Sequence, residues 1–292
     1  MPRTYSLRPA TSALYDNFDV KQYRLSNMRL FSVHNKKPEK NPENPEEDLW
    51  TSTCYVIKFD EGAVVIDPGF TNIDETEKIV TSVSGGFQKC HVLLTHGHFD
   101  HLYGAARILR GGGKVFIHKD DRTYIEGLST DPEENKQLAR RIAAVRWGAW
   151  KPKLKYDFIR DEEELRHLQD STVLLTERTG HADIKGSRIS YYNDRGHTLG
   201  HTIYFFNGLI FAGDLVVQGD GEWGWYLNSM YGKGDDEGDE ENKRDLQKIK
   251  KACRESLDLV VNHTKFNYIA LGHGGILSQA EIKKIAEKIM KE

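Results

Sequence analysis

Short apolar runs alternate with amphipathic helical patterns along most of the chain, and this alternation predicts an α/β fold. Apolar runs that end at polar or turn-forming residues predict strands at 28–34, 52–59, 63–69, 91–95, 114–118, 171–177, 187–193, 201–206, 209–213 and 268–272. Helical periodicity predicts helices at 74–83, 102–109, 133–147 and 246–262, and a last helix that begins at the capping box formed by Ser278 and Glu281.

Two segments depart from this alternation. Residues 35–49 are rich in proline, asparagine and charge, which predicts a surface loop insertion rather than a domain boundary. Residues 119–170 are charged and contain a helical pattern, which predicts a helical cap insertion. A chain of 292 residues can bury a large core. We therefore expect residues 1–292 to form a single domain that carries these two insertions.

Charge and cysteine content narrow the partners and the compartment. The chain has 41 basic and 44 acidic residues, a net charge of -3, so a nucleic acid is not the expected partner. No apolar run approaches the roughly 20 residues that span a membrane. The three cysteines are widely separated and odd in number, which favours reduced thiols. We expect a cytoplasmic protein with a small-molecule substrate.

The segment THGHFDH, residues 95–101, follows an apolar strand and carries four metal-ligand side chains. In an extended loop, residues two apart point the same way, so His96, His98 and Asp100 should share one side while His101 faces away. Such a loop can serve two neighbouring cations. Imidazole and carboxylate groups bind zinc, iron and manganese. A lone histidine is usually a hydrogen-bonded surface residue, but four such side chains in this spacing favour a metal site.

Three later segments end predicted strands with the same kinds of side chain: RGHTLGH (195–201), IFAGDLV (210–216) and LGHGG (271–275). Glycine beside each candidate ligand allows the backbone to turn sharply. The first of these segments contains two candidate ligands, His197 and His201, and the residues alone leave both open.

The order of these motifs closely resembles the metallo-β-lactamase superfamily. The resemblance extends from about Cys54 to His273 and implies an αββα sandwich with a dinuclear metal site at one edge. It implies two divalent cations, zinc first and iron or manganese as alternatives. It also favours His197 over His201 as a ligand and makes Asp67 a supporting carboxylate. The implied ligands are His96, His98 and His197 for one cation, Asp100, His101 and His273 for the other, and Asp214 as the bridge.

The resemblance implies a hydrolase in which a metal-bridging hydroxide attacks an ester, lactone, thioester or related substrate. The metal motifs are similar to those of glyoxalase II and lactonases, and Asp100 is expected to orient the nucleophile. True β-lactamases usually carry Cys or Ser where Asp214 stands, so antibiotic hydrolysis is not the first expectation. The alternatives are a phosphodiesterase or RNA-processing nuclease of the same fold, a persulfide dioxygenase with one iron, and a non-enzymatic binding module.

An aromatic segment at 221–232 supplies candidate substrate contacts. Tyr226 and Tyr231 are predicted catalytic residues, because a tyrosine hydroxyl near the site can donate a hydrogen bond to an oxyanion. The alternative interpretation is packing against the cap or a contact in a homo-oligomer. A second segment, TGHAD at 179–183, is predicted to be a surface turn or, less favourably, part of the cleft wall.

Overall fold

The fold is built on two stacked β-sheets. The computed structural model describes residues 9–15, 18–25, 28–35, 52–60, 62–69, 73–84, 89–109, 111–138, 159–184, 187–219, 222–224 and 240–291. The statements below concern these residues.

The first sheet contains eight strands in sequence order. The strands are β1 Pro9–Tyr15, β2 Phe18–Leu25, β3 Met28–Asn35, β4 Thr53–Phe59, β5 Gly62–Ile66, β6 Cys90–Leu93, β7 Val115–His118 and β8 Thr172–Leu175. Strands β1 to β5 pair antiparallel with their neighbours, and strands β5 to β8 pair parallel.

The second sheet has the order β16-β15-β12-β11-β10-β9, and a small hairpin, β13-β14, follows β12 along the chain. Its strands pair antiparallel except for β12 and β15, which are parallel. The strands are β9 Thr179–Ile184, β10 Ser187–Asn193, β11 Thr202–Phe206, β12 Leu209–Phe211, β13 Val217–Gly219, β14 Glu222–Gly224, β15 Tyr268–Leu271 and β16 Gly275–Ser278.

Helices connect and cover the strands. A 3₁₀ turn, Lys119–Asp121, follows β7, and a π-helical turn, Leu259–His263, continues the seventh helix. The helices are α1 Ile73–Ser84, α2 Phe99–Leu102, α3 Ala105–Ile108, α4 Arg122–Glu126, α5 132–138, α6 Glu162–Asp170, α7 Glu240–Asp258 and α8 Gln279–Ile289.

Alternation of side chains along the strands separates the core into three layers. In β5, Val65 packs in a cluster with Ile79 of α1, whereas its neighbour Val64 packs in the cluster between the two sheets. In β12, Phe211 joins the cluster between the sheets, and Ile210 joins the outer cluster that contains Ile282 of α8. Helices therefore cover both outer faces, and the predicted αββα sandwich is confirmed.

Several local predictions were wrong. The predicted helix at 102–109 is two short helices, α2 and α3, with Gly104 at the start of the second. The predicted turn at 179–183 is the edge strand β9, in which Ala182 is buried while His181 and Asp183 are exposed. Strands β1, β2 and β16 were not predicted, because few apolar residues in these segments alternate clearly.

Only parts of the two predicted insertions fall within the described residues. Residues 36–49 of the loop and 139–158 of the cap lie outside them. In the described parts of the cap, Tyr124, Ile159 and Leu168 pack in the same cluster as α1. The single-domain organisation with two insertions stays a prediction.

The strand directions place many loops at one edge. Strands β5, β6 and β7 are parallel, so the residues after each strand leave the sheet on the same side. In the second sheet, β10, β12 and β15 share one direction, so the segments that follow them also meet at one edge. Every motif singled out from the sequence as a metal-ligand segment follows one of these six strands.

Within the described part of the chain, no helix combines the length and the apolar character needed to cross a bilayer.

The capping box at the start of α8 allows a direct test of local stability. Ser278 accepts a hydrogen bond from the backbone N–H of Glu281 and donates its hydroxyl to the Glu281 carboxylate. Ser278→Ala is expected to lower the free energy of unfolding by about 1 kcal/mol, whereas Ser278→Thr should lose less. Chemical denaturation at neutral pH measures the difference.

The pH dependence of this effect has a defined sign. Hydrogen bonds from Ser278 hold the pKa of Glu281 below its usual range. The contribution is therefore present at neutral pH and is lost as the pH falls through the lowered pKa. Equal unfolding free energies for the wild type and Ser278→Ala at neutral pH would contradict the expectation.

Candidate metal centre

Three imidazole rings converge on one point at the shared edge. The Nδ1 atom of His98 lies 3.0 Å from Nε2 of His96 and 2.9 Å from Nε2 of His197. His96 and His197 are buried, and His98 is 9% exposed. His96 and His98 come from the segment after β6, whereas His197 comes from the loop between β10 and β11. We call these three residues the first cluster.

A second cluster lies beside the first and consists of Asp100, His101 and His273. The Oδ2 atom of Asp100 lies 3.1 Å from Nε2 of His273 and 3.5 Å from Nε2 of His101. His273 follows β15 and is brought to this edge by the second sheet. The ligand atoms within each of the two clusters lie within 4.8 Å of one another.

The carboxylate of Asp214 lies between the two clusters. Its Oδ2 atom is 3.5 Å from Nε2 of His197 and 3.5 Å from Nε2 of His273. Its Oδ1 atom is 3.3 Å from Nε2 of His101. One buried carboxylate therefore contacts ligand atoms of both clusters. The structure thus brings together all seven side chains that the sequence analysis proposed as ligands.

The first cluster has the spacing of a cation site. Three nitrogens bound tetrahedrally at the usual zinc distance lie about 3.3 Å apart, close to the spacing around His98. A single proton on Nδ1 of His98 can satisfy only one of its two contacts. A cation, in contrast, interacts with the lone pairs of all three nitrogens.

Unpartnered polar atoms in the centre also fit a cation. Among the described residues, Nε2 of His101 and Oδ1 of Asp214 are buried and have no hydrogen-bond partner. Buried polar atoms normally have such a partner, and a bound ion is one explanation for an exception. Nitrogen and carboxylate oxygen atoms are the ligands that zinc, iron and manganese accept.

The pKa shifts in the metal-free protein also fit a cation site. Burial lowers the pKa of His96 well below its usual value, so the ring is neutral and its lone pair is available. Burial raises the pKa of Asp100, but contacts with His101 and His273 outweigh burial and hold the pKa below its usual range. Burial lowers the pKa of His273, yet Asp214 and Asp100 raise it to about 10. Protons on the second cluster thus balance its carboxylates, and bound cations would replace those protons.

Asp67 orients a ligand of the second cluster. Its Oδ2 atom lies 2.9 Å from Nδ1 of His101, so the opposite nitrogen of that ring faces the centre. The same carboxylate accepts hydrogen bonds from the backbone N–H of Thr95 at 2.8 Å and from the Thr95 hydroxyl at 2.7 Å. A carboxylate behind a ligand histidine fixes the ring orientation and raises its basicity.

His201, the second candidate in its segment, lies behind the centre. Its Nδ1 atom is 2.6 Å from Oδ1 of Asp194, and its Nε2 atom accepts the backbone N–H of Asp214 at 3.1 Å. Because both ring nitrogens have partners in the protein, His201 positions Asp214 and is not one of the converging side chains. The sequence analysis did not single out Asp194.

Comparison with known proteins identifies the family. The sequence model of the metallo-beta-lactamase superfamily matches residues 48–262. The chain belongs to the metallo-beta-lactamase superfamily. Metal-dependent hydrolases make up most of this superfamily, and its members bind divalent metals. The family resemblance drawn from the five motifs is confirmed.

Similar sequences include proteins without an assigned activity. An uncharacterized protein of Mycobacterium tuberculosis is 26% identical over 182 residues, which cover 58% of this chain and 70% of that protein. The probable metallo-hydrolase YybB of Bacillus subtilis is 26% identical over 167 residues, which cover 56% of this chain and 61% of YybB.

Similar solved structures support the fold. The MIM-2 metallo-beta-lactamase superposes with a TM-score of 0.54 at 16% identity, covering 92% of this chain and 87% of that one. The chemotaxis sensor ODP, described as a peroxy diiron species, gives a TM-score of 0.51 at 12% identity, covering 96% of this chain and 93% of that one. Identities this low show the fold alone.

One prediction about the superfamily's central motif was wrong. We expected an extended loop that places Asp100 with His96 and His98, but helix α2 begins at Phe99, directly after His98. Consecutive helical residues point about 100° apart, so Asp100 and His101 can both reach the second cluster. His96 and His98, before this helical turn, thus belong to the first cluster, whereas Asp100 and His101, within the turn, belong to the second.

A buried aspartate was also missed. Asp121 lies in the turn after β7 and accepts hydrogen bonds from Gly97 and Thr198, which belong to the two segments that supply the first cluster. The available signal was its position, because it follows a parallel strand at the same edge as the metal-ligand motifs. Asp121 stands in the charged turn Lys119–Asp121, whose residues do not form a recognisable ligand motif.

The structure tests the aromatic segment only in part. Trp223 in β14 packs against the outer cluster of the second sheet, and a Cβ atom at Gly274 would lie 2.8 Å from its ring. The hairpin is held beside the centre by a hydrogen bond from the backbone N–H of Gln218 to the carbonyl of His273. Tyr226 and Tyr231 lie outside the described residues, so their catalytic roles stay predictions.

Removal of ligands tests the metal centre. His96→Ala and Asp214→Ala should each lose bound metal and turnover, because the first removes a ligand and the second removes the side chain shared by both clusters. The metal content of the purified variants, measured by elemental analysis, should fall below the roughly two equivalents expected in the wild type. His181→Ala is the control, since His181 is exposed on β9 and bonded to Ser190. Wild-type metal content in both ligand variants would contradict the assignment.

Proposed function

We propose that this protein is a dinuclear metal-dependent hydrolase of small-molecule esters, lactones or thioesters. The observation that carries the proposal is the position of Asp214, whose carboxylate lies within 3.5 Å of ligand atoms of both clusters. Two divalent cations, zinc first and iron or manganese as alternatives, are the group that such a ligand set would hold.

The two clusters would hold the divalent cations, which would acidify a water molecule and polarise the bond that is attacked. The protein residues determine how a substrate reaches this position. The side chains of His273 and Asp100 are 15% and 8% exposed, whereas that of His101 is fully buried. The open side of the centre therefore lies at His273 and Asp100. An ionised Asp100 at this opening can accept a hydrogen bond from the attacking water and orient it.

Nucleophilic side chains near the centre are engaged elsewhere, which favours water as the nucleophile. The Thr95 hydroxyl donates to Asp67, and the Thr198 hydroxyl donates to Asp121. Cys54, Cys90 and Cys253 are buried, and burial raises the pKa of the Cys54 and Cys253 thiols. A thiol kept protonated is a poor nucleophile.

A cavity beside the first cluster suggests where a non-reacting part of the substrate binds. It has a volume of ≈160 Å³, and its lining includes Tyr124, Leu138 and Leu199. The Tyr124 ring stands edge-on to the His98 ring with centroids 5.8 Å apart. Cavities of about 150 Å³ with apolar walls accommodate a molecule the size of benzene. The size and lining fit a short acyl chain or an aryl ring better than a nucleic acid.

A substrate panel tests this proposal. Metal-loaded protein would be assayed with lactone, thioester, aryl ester, phosphodiester and persulfide substrates, and Asp214→Ala would control for a contaminating hydrolase. We expect hydrolysis of at least one carbonyl substrate, lost on chelation and restored by zinc. Turnover confined to phosphodiesters would favour a phosphodiesterase or nuclease. One iron per chain with oxygen-dependent persulfide oxidation would favour a dioxygenase, and either result would overturn the proposal.

A further inference from the structure

Asp121 links the two segments that carry the first cluster. The residue is 1% exposed, and its carboxylate accepts three hydrogen bonds. The Oδ2 atom accepts the backbone N–H of Gly97 at 3.0 Å and the Thr198 hydroxyl at 2.6 Å. The Oδ1 atom accepts the backbone N–H of Gly200 at 2.9 Å. These donors come from the segment after β6 and from the loop between β10 and β11.

Two of the three donors are immediate neighbours of the candidate ligands. Gly97 lies between His96 and His98, and Thr198 follows His197 directly. A shift of either segment relative to Asp121 would therefore change the spacing of the three ring nitrogens. Close packing reinforces the link, because a Cβ atom at Gly200 would lie 2.4 Å from Cγ of Asp121.

The second cluster is positioned by different carboxylates. Asp67 contacts His101, and Asp194 acts on Asp214 through His201. None of the hydrogen bonds to Asp121 comes from a residue next to Asp100 or His273 along the chain. Asp67 also accepts hydrogen bonds from Thr95, the residue before His96, and Asp214 is shared by both clusters. The hydrogen bonds to Asp121, in contrast, reach only the segments of the first cluster in the described part of the protein.

We propose that Asp121 is a positioning residue for the first cation, which sets the spacing of His96, His98 and His197 by holding their two segments together. Its three hydrogen bonds come from two backbone N–H groups and the Thr198 hydroxyl, so it acts through the backbone and this hydroxyl. The role rests on the metal centre of the proposed function but does not depend on which substrate is hydrolysed. Substitution of a residue that supports a metal ligand typically changes the metal affinity by about 10- to 100-fold.

Asp121→Asn is the most informative substitution. The amide has nearly the same shape, but its nitrogen cannot accept a hydrogen bond, so at least one donor loses its partner. The change should weaken the first cation site by about 10- to 100-fold and leave the second nearly unchanged. Asp67→Asn is the matched reciprocal variant, because it alters the carboxylate behind His101 and should weaken the second site. Asp183→Asn is the control, because this side chain is exposed on β9, and it should change the affinity of neither site.

The two sites can be measured separately in ligand-deleted backgrounds. His273→Ala leaves the first cluster complete, and His197→Ala leaves the second cluster complete. Titration with Co²⁺, followed by visible absorption and by competition with a chelator, gives a Kd for the remaining site in each background. Thermal unfolding of the metal-free variants would show whether each retains the fold.

The predicted result is a crossed pattern: Asp121→Asn raises the Kd in the His273→Ala background and leaves it nearly unchanged in the His197→Ala background, whereas Asp67→Asn raises it more in the His197→Ala background, because Asp67 contacts the His101 ring directly and reaches His96 only through Thr95. An unchanged first-site Kd in Asp121→Asn would overturn the proposal, as would an equal rise at both sites. A protein that shows the crossed pattern but hydrolyses no substrate would contradict the proposed function and leave the role of Asp121 supported.

Discussion

The site depends on the burial of three carboxylates beside six imidazole rings at the shared edge of the two sheets. Asp67, Asp194 and Asp214 are nearly inaccessible to solvent, and so are four of the histidine rings that contact them or one another. Unpaired charges and unpartnered ring nitrogens are costly in such surroundings. Bound cations would resolve this conflict at the converging nitrogens and at Asp214, whereas Asp67 is balanced by its close contact with His101 and Asp194 by its hydrogen bond with His201.

The two sheets can supply one site because their ends are linked next to the ligands. The backbone N–H of Thr202 donates to the carbonyl of Thr95 at 2.7 Å, and the Tyr204 hydroxyl donates to the carbonyl of Leu94 at 2.9 Å. On the other side, the Tyr55 hydroxyl donates to the carbonyl of Leu271 at 2.7 Å. These bonds fix the segment before His96 against β11 and the segment before His273 against β4. Ligands distant in the sequence therefore meet on rigid elements, as a precise metal centre requires.

The convergence of the candidate ligands could be predicted from sequence because each one stands in a short motif after an apolar strand. Their supports could not be predicted in the same way. Asp121 lies in a charged turn beside Asp120, and Asp194 directly follows β10, so neither stands in a ligand motif. Only the fold brings Asp121 to Gly97 and Asp194 to His201. The wrong expectation for Asp100 has a similar origin, since polar residues in a short segment do not reveal that a helical turn begins at Phe99.

The central claim is that two cations share Asp214, and anomalous X-ray diffraction from crystals of the metal-loaded protein tests it most directly. Data collected on both sides of the metal absorption edge should show two peaks about 3.5–4 Å apart, one at each cluster, with the Asp214 carboxylate between them. A single peak, or peaks distant from Asp214, would contradict the dinuclear centre.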